Sequence, residues 1–147
     1  MSKHPQAKSH QEIFQELCAL VGQWRDIDSS TEVDYRLTAN GSVLVETWRW
    51  PERNIEALTL YHMDGTQLMA THYCPAGNQP RLLLDSSADR SVITFKFHSA
   101  TNLPDPNVDH NVEFWIKIDS PESFTRSETY TENGVCDVQQ DTFRRRG

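Results

Sequence analysis

Three dipeptides constrain this chain more than any other feature: Asn40-Gly41, Asp64-Gly65 and Asn133-Gly134. A two-residue type I′ hairpin needs positive φ at both central positions, which Asn, Asp and Gly tolerate and most residues resist. Each dipeptide lies between stretches whose apolar residues recur with a period of two, the spacing of a half-buried strand. From Trp24 onward about ten strands are predicted, at 23–28, 31–39, 42–50, 56–63, 66–74, 80–85, 91–99, 110–119, 123–131 and 136–145. Hairpin-linked strands of similar length form a meander, and closing a meander into a barrel removes its exposed edges. The predicted fold is therefore mainly β: a closed antiparallel meander barrel of about ten strands with one N-terminal helix.

The helix has its own start signal. Ser9-His10-Gln11-Glu12 reads as a capping box, and Ile13, Phe14, Leu17, Leu20 and Val21 follow at helical spacing. A helix from Gln11 to Val21 is predicted, with Gly22 ending it in a left-handed conformation. Residues 1–10 are expected to be a disordered tail and 11–147 a single domain. At 147 residues the chain is long enough to bury a core without staples.

Charge and cysteine usage narrow the partners. The formal charge of -7 and the pI near 5.3 oppose a nucleic acid or an anionic membrane as partner. Arg144-Arg145-Arg146 is the one basic run, and a solvated strand end is favoured there over an anion site. Cys18, Cys74 and Cys136 are odd in number, widely spaced and without a C-x-x-C pair, which points to a reduced, cytoplasmic protein. No apolar run approaches the roughly 18 residues of a membrane span.

Turn positions fix registers, and registers fix faces. A two-residue loop at Asn40-Gly41 puts Val33, Tyr35, Leu37, Leu44, Glu46 and Trp48 on one apolar face. Glu46 then points inward beside Tyr35, where a carboxylate must find a donor or take a proton. The same arithmetic at Asp64-Gly65 groups Ala57, Thr59, Tyr61, Leu68, Ala70 and His72 against Leu58, Leu60, His62, Gln67, Met69, Thr71 and Tyr73. Neither face is cleanly polar, so the outer one is expected to be covered by the helix or by a second subunit in a homodimer. Around Asn133-Gly134, Arg126, Glu128, Phe124 and Tyr130 share a face. Asp141 falls opposite Arg126, suggesting a cross-strand ion pair, although an interior role for these groups stays open.

The segment Thr71 to Arg81 is the densest in groups able to touch a ligand. His72 and Cys74 share a strand face about 6.5–7 Å apart, so a Cys–His nucleophile is conceivable but a packed thiol is favoured. His62, His72, His98 and His110 form no recognised metal spacing, and no metal site is predicted. Asn78 and Gln79 either tie a turn to nearby carbonyls or line the barrel mouth, with Arg81 fixing a carboxylate or neutralising Glu46. Trp48, Trp50 and Trp115 read as core or rim packing.

The expected function is binding of a small, largely apolar molecule with a polar head inside the barrel. Glu46, His72, Asn78, Gln79 and Arg81 would meet the head, while Tyr35, Leu44, Phe95 and Phe97 line the cavity. Two alternatives are an enzyme using Glu46 and His72 as an acid–base pair, and a haem or metal carrier. The sequence specifies neither ligand nor cofactor.

A helix leading into Gly22-Gln23-Trp24 and a ten-strand meander resembles the lipocalin or calycin superfamily. The similarity is closer to a bacterial family of uncharacterised lipocalin-like barrels. There, a segment similar to Tyr61-His62-x-Asp64-Gly65 leads into one similar to Thr71-His72-Tyr73-Cys74-x-Ala76-Gly77-Asn78-Gln79-Pro80-Arg81. Ala100-Thr101-Asn102-Leu103 extends the likeness, which spans roughly residues 17–145. The resemblance implies a barrel and a pocket but no reaction. Nitrobindin-type haem barrels are similar in shape but typically open with Gly-x-Trp-x-Gly-x-Gly. Gly22-Gln23-Trp24-Arg25-Asp26-Ile27-Asp28 lacks the two later glycines, which weighs against haem.

Overall fold

A computed structural model describes residues 7–87 and 91–147. Residues 1–6, most of the expected tail, lie outside the described residues. The capping box forms as the residues require: Ser9 Oγ accepts from Glu12 N and Glu12 Oε1 from Ser9 N, both at 3.1 Å. Helix α1 accordingly runs His10–Cys18, and no helix among the described residues is long and apolar enough to cross a membrane.

Ten strands follow: β1 Gly22–Asp26, β2 Glu32–Thr38, β3 Val43–Trp50, β4 Ile55–Asp64, β5 Gln67–Tyr73, β6 Gln79–Leu84, β7 Ile93–Thr101, β8 His110–Ser120, β9 Ser123–Glu132 and β10 Val135–Arg145. Every strand pairs antiparallel with its sequence neighbour, and β1 also pairs with β10, closing the barrel. The predicted fold class is the observed one.

Two of the three marked turns set the register as their chemistry requires. Asn40 and Gly41 have φ of 56° and 80°, Asn133 and Gly134 of 51° and 76°, and the ladders pair Tyr35 with Glu46 and Arg126 with Asp141. The third differs. Asp64 pairs with Gln67, so the loop is Gly65-Thr66, with positive φ at Gly65 alone, as a type II′ turn requires. The pairing slips by two residues, so each side chain keeps its face. Ala57, Thr59, Tyr61, Leu68, Ala70 and His72 all point into the barrel and are buried. On the opposite face Leu58 and Tyr73 remain exposed, so the helix does not cover it.

Instead α1 plugs one barrel end. Phe14, Leu17 and Leu20 join the core cluster with Trp24, Leu44 and Leu68. Leu68 N donates to His10 Nδ1 at 2.9 Å. Behind the plug, Phe124 and Phe143 stack with centroids 5.0 Å apart, and Trp24 meets Phe124 edge-on at 4.8 Å.

The helix ends differently from the sequence expectation. It stops at Cys18 with Ala19 as C-cap, and Gly22 opens β1 rather than capping α1. Arg145 supplies the missing donors: its Nη1 donates to Val21 O at 2.8 Å and its Nη2 to Ala19 O at 3.1 Å. Its Nε donates to Pro121 O, and the guanidinium lies 4.3 Å from the Trp24 ring centroid. The middle residue of the basic run is thus a clamp between helix end and barrel, not a solvated strand end. Gly22 makes room for it, since a Cβ there would sit 2.5 Å from Arg145 Nη1 at a φ of +137°. Gly22→Ala should therefore destabilise the fold by about 1–3 kcal/mol, lowering Tm by about 2–4 °C per kcal/mol. Calorimetry finding an unchanged Tm would show that Arg145 is not held against this glycine.

Candidate functional site

At mid-barrel the apolar interior is interrupted by one charged cluster. Glu46 on β3 is fully buried, and four donors converge on its carboxylate. Tyr35 Oη and Tyr61 Oη donate to Oε2 at 2.6 and 2.7 Å, and Trp48 Nε1 and Arg126 Nη2 to Oε1 at 2.8 and 3.0 Å. Burial by itself would raise the Glu46 pKa, but the Arg126 charge and these bonds outweigh it and hold the carboxyl below its ordinary value. Burial and the same carboxylate push Tyr35 and Tyr61 far up, so both phenols keep their protons. Arg126 lies over the rings of Phe114 and Trp48, at 4.4 and 5.0 Å. The expected Arg126–Asp141 ion pair is not what forms: the side chain crosses the lumen from β9 to β3 instead.

Arg126 has a second carboxylate neighbour. Its Nη1 is 3.4 Å from Glu128 Oε2, a looser contact than the 3.0 Å to Glu46. Burial is the largest influence on Glu128, and with the Glu46 and Asp141 charges it outweighs Arg126, leaving its pKa raised. One guanidinium cannot neutralise two carboxylates, and the better-placed Glu46 takes most of its charge.

Above this layer the barrel opens into a cleft of about 640 Å³. Its lining comes from β3, β4, β5, β9 and β10, with the β5–β6 loop and Asp109 just before β8. Trp48, Trp50 and Ala57 form one wall. Glu128, Tyr130, Asp137 and Gln139 form another, and Cys74, Pro75 and Ala76 part of the rim. The two indoles stand 5.8 Å apart, tilted by 35°.

A short polar relay enters the cleft from β4, β5 and β9. Thr59 Oγ1 and His72 Nδ1 are 2.8 Å apart, and His72 Nε2 lies 2.8 Å from Tyr130 Oη. Burial first, and then the Arg126 charge, lower the His72 pKa from 6.5 to about 4, so the ring is neutral at physiological pH. Burial, with Glu128 and the Cys74 thiol beside it, pushes Tyr130 up. The relay can donate or accept one hydrogen bond at the cleft surface, as a neutral pair of groups.

Of the residues expected to contact a ligand, His72 lines the cleft. Glu46, Tyr35, Leu44 and Phe95 lie in the packed interior beneath it. Asn78 is buried and ties the β5–β6 loop to the connection before β8, Nδ2 donating to Asp109 O at 2.9 Å. Gln79 Nε2 donates to Gly77 O within its own turn. Arg81 neither reaches Glu46 nor turns inward: it alternates with buried Leu82 and bonds Ser99 and Thr101. Phe97 is partly exposed and packs edge-on against His110. Glu46 and His72 make no hydrogen bond to each other, because the Glu46 oxygens are occupied and His72 bonds Thr59 and Tyr130. Among the described residues no three His, Cys, Asp or Glu side chains converge to hold a metal. Sequence reasoning read Trp50 as core or rim packing and left an interior role open for Glu128 and Tyr130. The register at the Asn133-Gly134 turn, which puts Glu128 and Tyr130 on one face with Phe124, was the sign available for those two.

No protein-family model matches the chain, and no curated protein matches it. The closed ten-strand antiparallel barrel with its N-terminal helix is consistent with a lipocalin-like fold.

Removing Arg126 would strand Glu46 as an unpaired buried charge. Arg126→Met should cost about 3–5 kcal/mol in urea unfolding, and a loss below about 1 kcal/mol would mean that the tyrosines alone sustain the carboxylate. The His72 shift also carries a sign. A folded pKa below 6.5 means that the neutral ring stabilises the fold above pH 6.5, and this is lost as pH falls through about 4. In an NMR titration the His72 ring signals should stay constant down to about pH 5, and a midpoint at 6.5 would contradict its burial.

Proposed function

We propose that this barrel binds a small, largely apolar ligand in the cleft at its open end, with the ligand's polar head on the His72–Tyr130–Glu128 layer. The cleft carries this reading: at about 640 Å³ it falls within the roughly 300–1,000 Å³ typical of small-molecule sites. It has apolar walls and a few convergent polar groups, the composition such sites share. Trp48 and Trp50 would hold the ligand body, with Ala57 and Pro75 closing around it. The filled interior below keeps the ligand shallow, in the mouth rather than at the barrel centre. A lipocalin-like ancestry is part of the same reading and rests on architecture and the resemblance around His72.

Rigidity supports binding over mere packing. The Glu46–Arg126 cluster fixes Trp48 through its indole N–H, so one cleft wall is set before any ligand arrives. Nile red, a neutral planar dye whose emission reports an apolar environment, should bind saturably with one-to-one stoichiometry. Trp50→Ala should weaken it about 10-fold, the loss expected for one large apolar contact. A response that never saturates, or that ignores Trp50→Ala, would refute this site.

A further inference from the structure

The cleft lining carries four carboxylates, Asp109, Glu128, Glu132 and Asp137, and neither lysine nor arginine. We propose that the polar head it takes is a cation: an amine, or a quaternary ammonium, on a small apolar body. This rests on the cleft being a ligand site and adds the charge of what enters it.

The buried charge balance is the first reason. Glu46, Arg126 and Glu128 form one contact group with two carboxylates and one guanidinium. Glu46 is satisfied by four donors, so the unbalanced charge falls on Glu128. Its side chain is 13% exposed, and Oε2 faces Arg126. Oε1 has no hydrogen-bond partner among the described residues, and Glu128 lines the cleft. A carboxylate so placed can gain a further counter-charge from a ligand, because it lines the cleft and its one cationic neighbour, Arg126, is shared with Glu46.

The walls are the second reason. A cation is attracted to the face of an indole within about 6 Å of its centroid. Trp50 already accepts one, the Arg53 guanidinium at 5.9 Å, and Trp48 lies over Arg126. These two arginines contact the indoles of the cleft wall. Arg126 is spent on Glu46, and Arg53 stands outside the lining. A carboxylate-headed ligand such as a fatty acid would instead face Glu128 with like charge and find no free donor cation.

Three probes of one body separate head from body: octylamine, 1-octanol and octanoate, titrated at neutral pH against the tryptophan fluorescence. Octylamine should bind at least about 10-fold tighter than octanol, the scale of one charge-assisted contact, with octanoate weakest. Glu128→Gln should abolish the preference for octylamine over octanol. Should that variant not fold, Glu132→Gln combined with Asp137→Asn at the exposed rim should weaken octylamine several-fold and octanol not at all. Equal affinities for octylamine and octanol in the native protein would overturn the cationic head while leaving the cleft as a site. Silence toward all three probes would overturn both.

Discussion

The buried Glu46–Arg126 contact is the interaction on which the rest of this barrel depends. It joins β3 to β9, strands that are not neighbours in the sheet, and so braces the lumen across its width. An ion pair at this depth is no guarantee of stability, since desolvating both charges costs about as much as their attraction returns. What makes it tolerable is the number of ligating donors. Two phenols and an indole complete the carboxylate's shell, each from a residue whose ring also packs in the core. The gain lies in specificity: only one register of β2, β3, β4 and β9 brings all these groups together.

That brace also divides the interior. Below it, helix α1 and the stacked rings around Phe124 fill the barrel. Above it the barrel opens into the cleft. Arg126 cannot satisfy both carboxylates within its reach, and Glu46 holds the better geometry. Glu128 is left at the boundary with a raised pKa, facing a cleft lined by three further carboxyl side chains and by no lysine or arginine. The same arrangement that stabilises the middle of the barrel thus gives its mouth a charge preference. His72 belongs to this boundary as a neutral group bonded to Tyr130, not as a partner of Glu46.

Much of this was legible residue by residue. Asn40-Gly41 and Asn133-Gly134 gave the observed registers, because few residues occupy positive φ at both turn positions. Glu46 beside Tyr35 on an inner face followed directly. Asp64-Gly65 misplaced its loop by one residue, since a glycine also suits the first position of a type II′ turn. The faces survived because a slip of two preserves alternation. The site was harder to read. Arg81 stood out next to the polar segment, yet the arginine that meets Glu46 lies 80 residues away from it. Arg145 looked like one of three interchangeable basic residues, and its clamp on the helix end depends on where β10 finishes.

Local chemistry, acting within a few residues, decided the strands, the turns, the helix start and the face each side chain takes. Those are short-range matters of φ, hydrogen-bond capping and alternation. Closure of the barrel decided the rest: which arginine neutralises which carboxylate, which aromatic rings fill the lumen and which residues are left to line a cleft. No local pattern encodes these outcomes. They depend on distances across the lumen, and such distances exist only once ten strands have closed on one another.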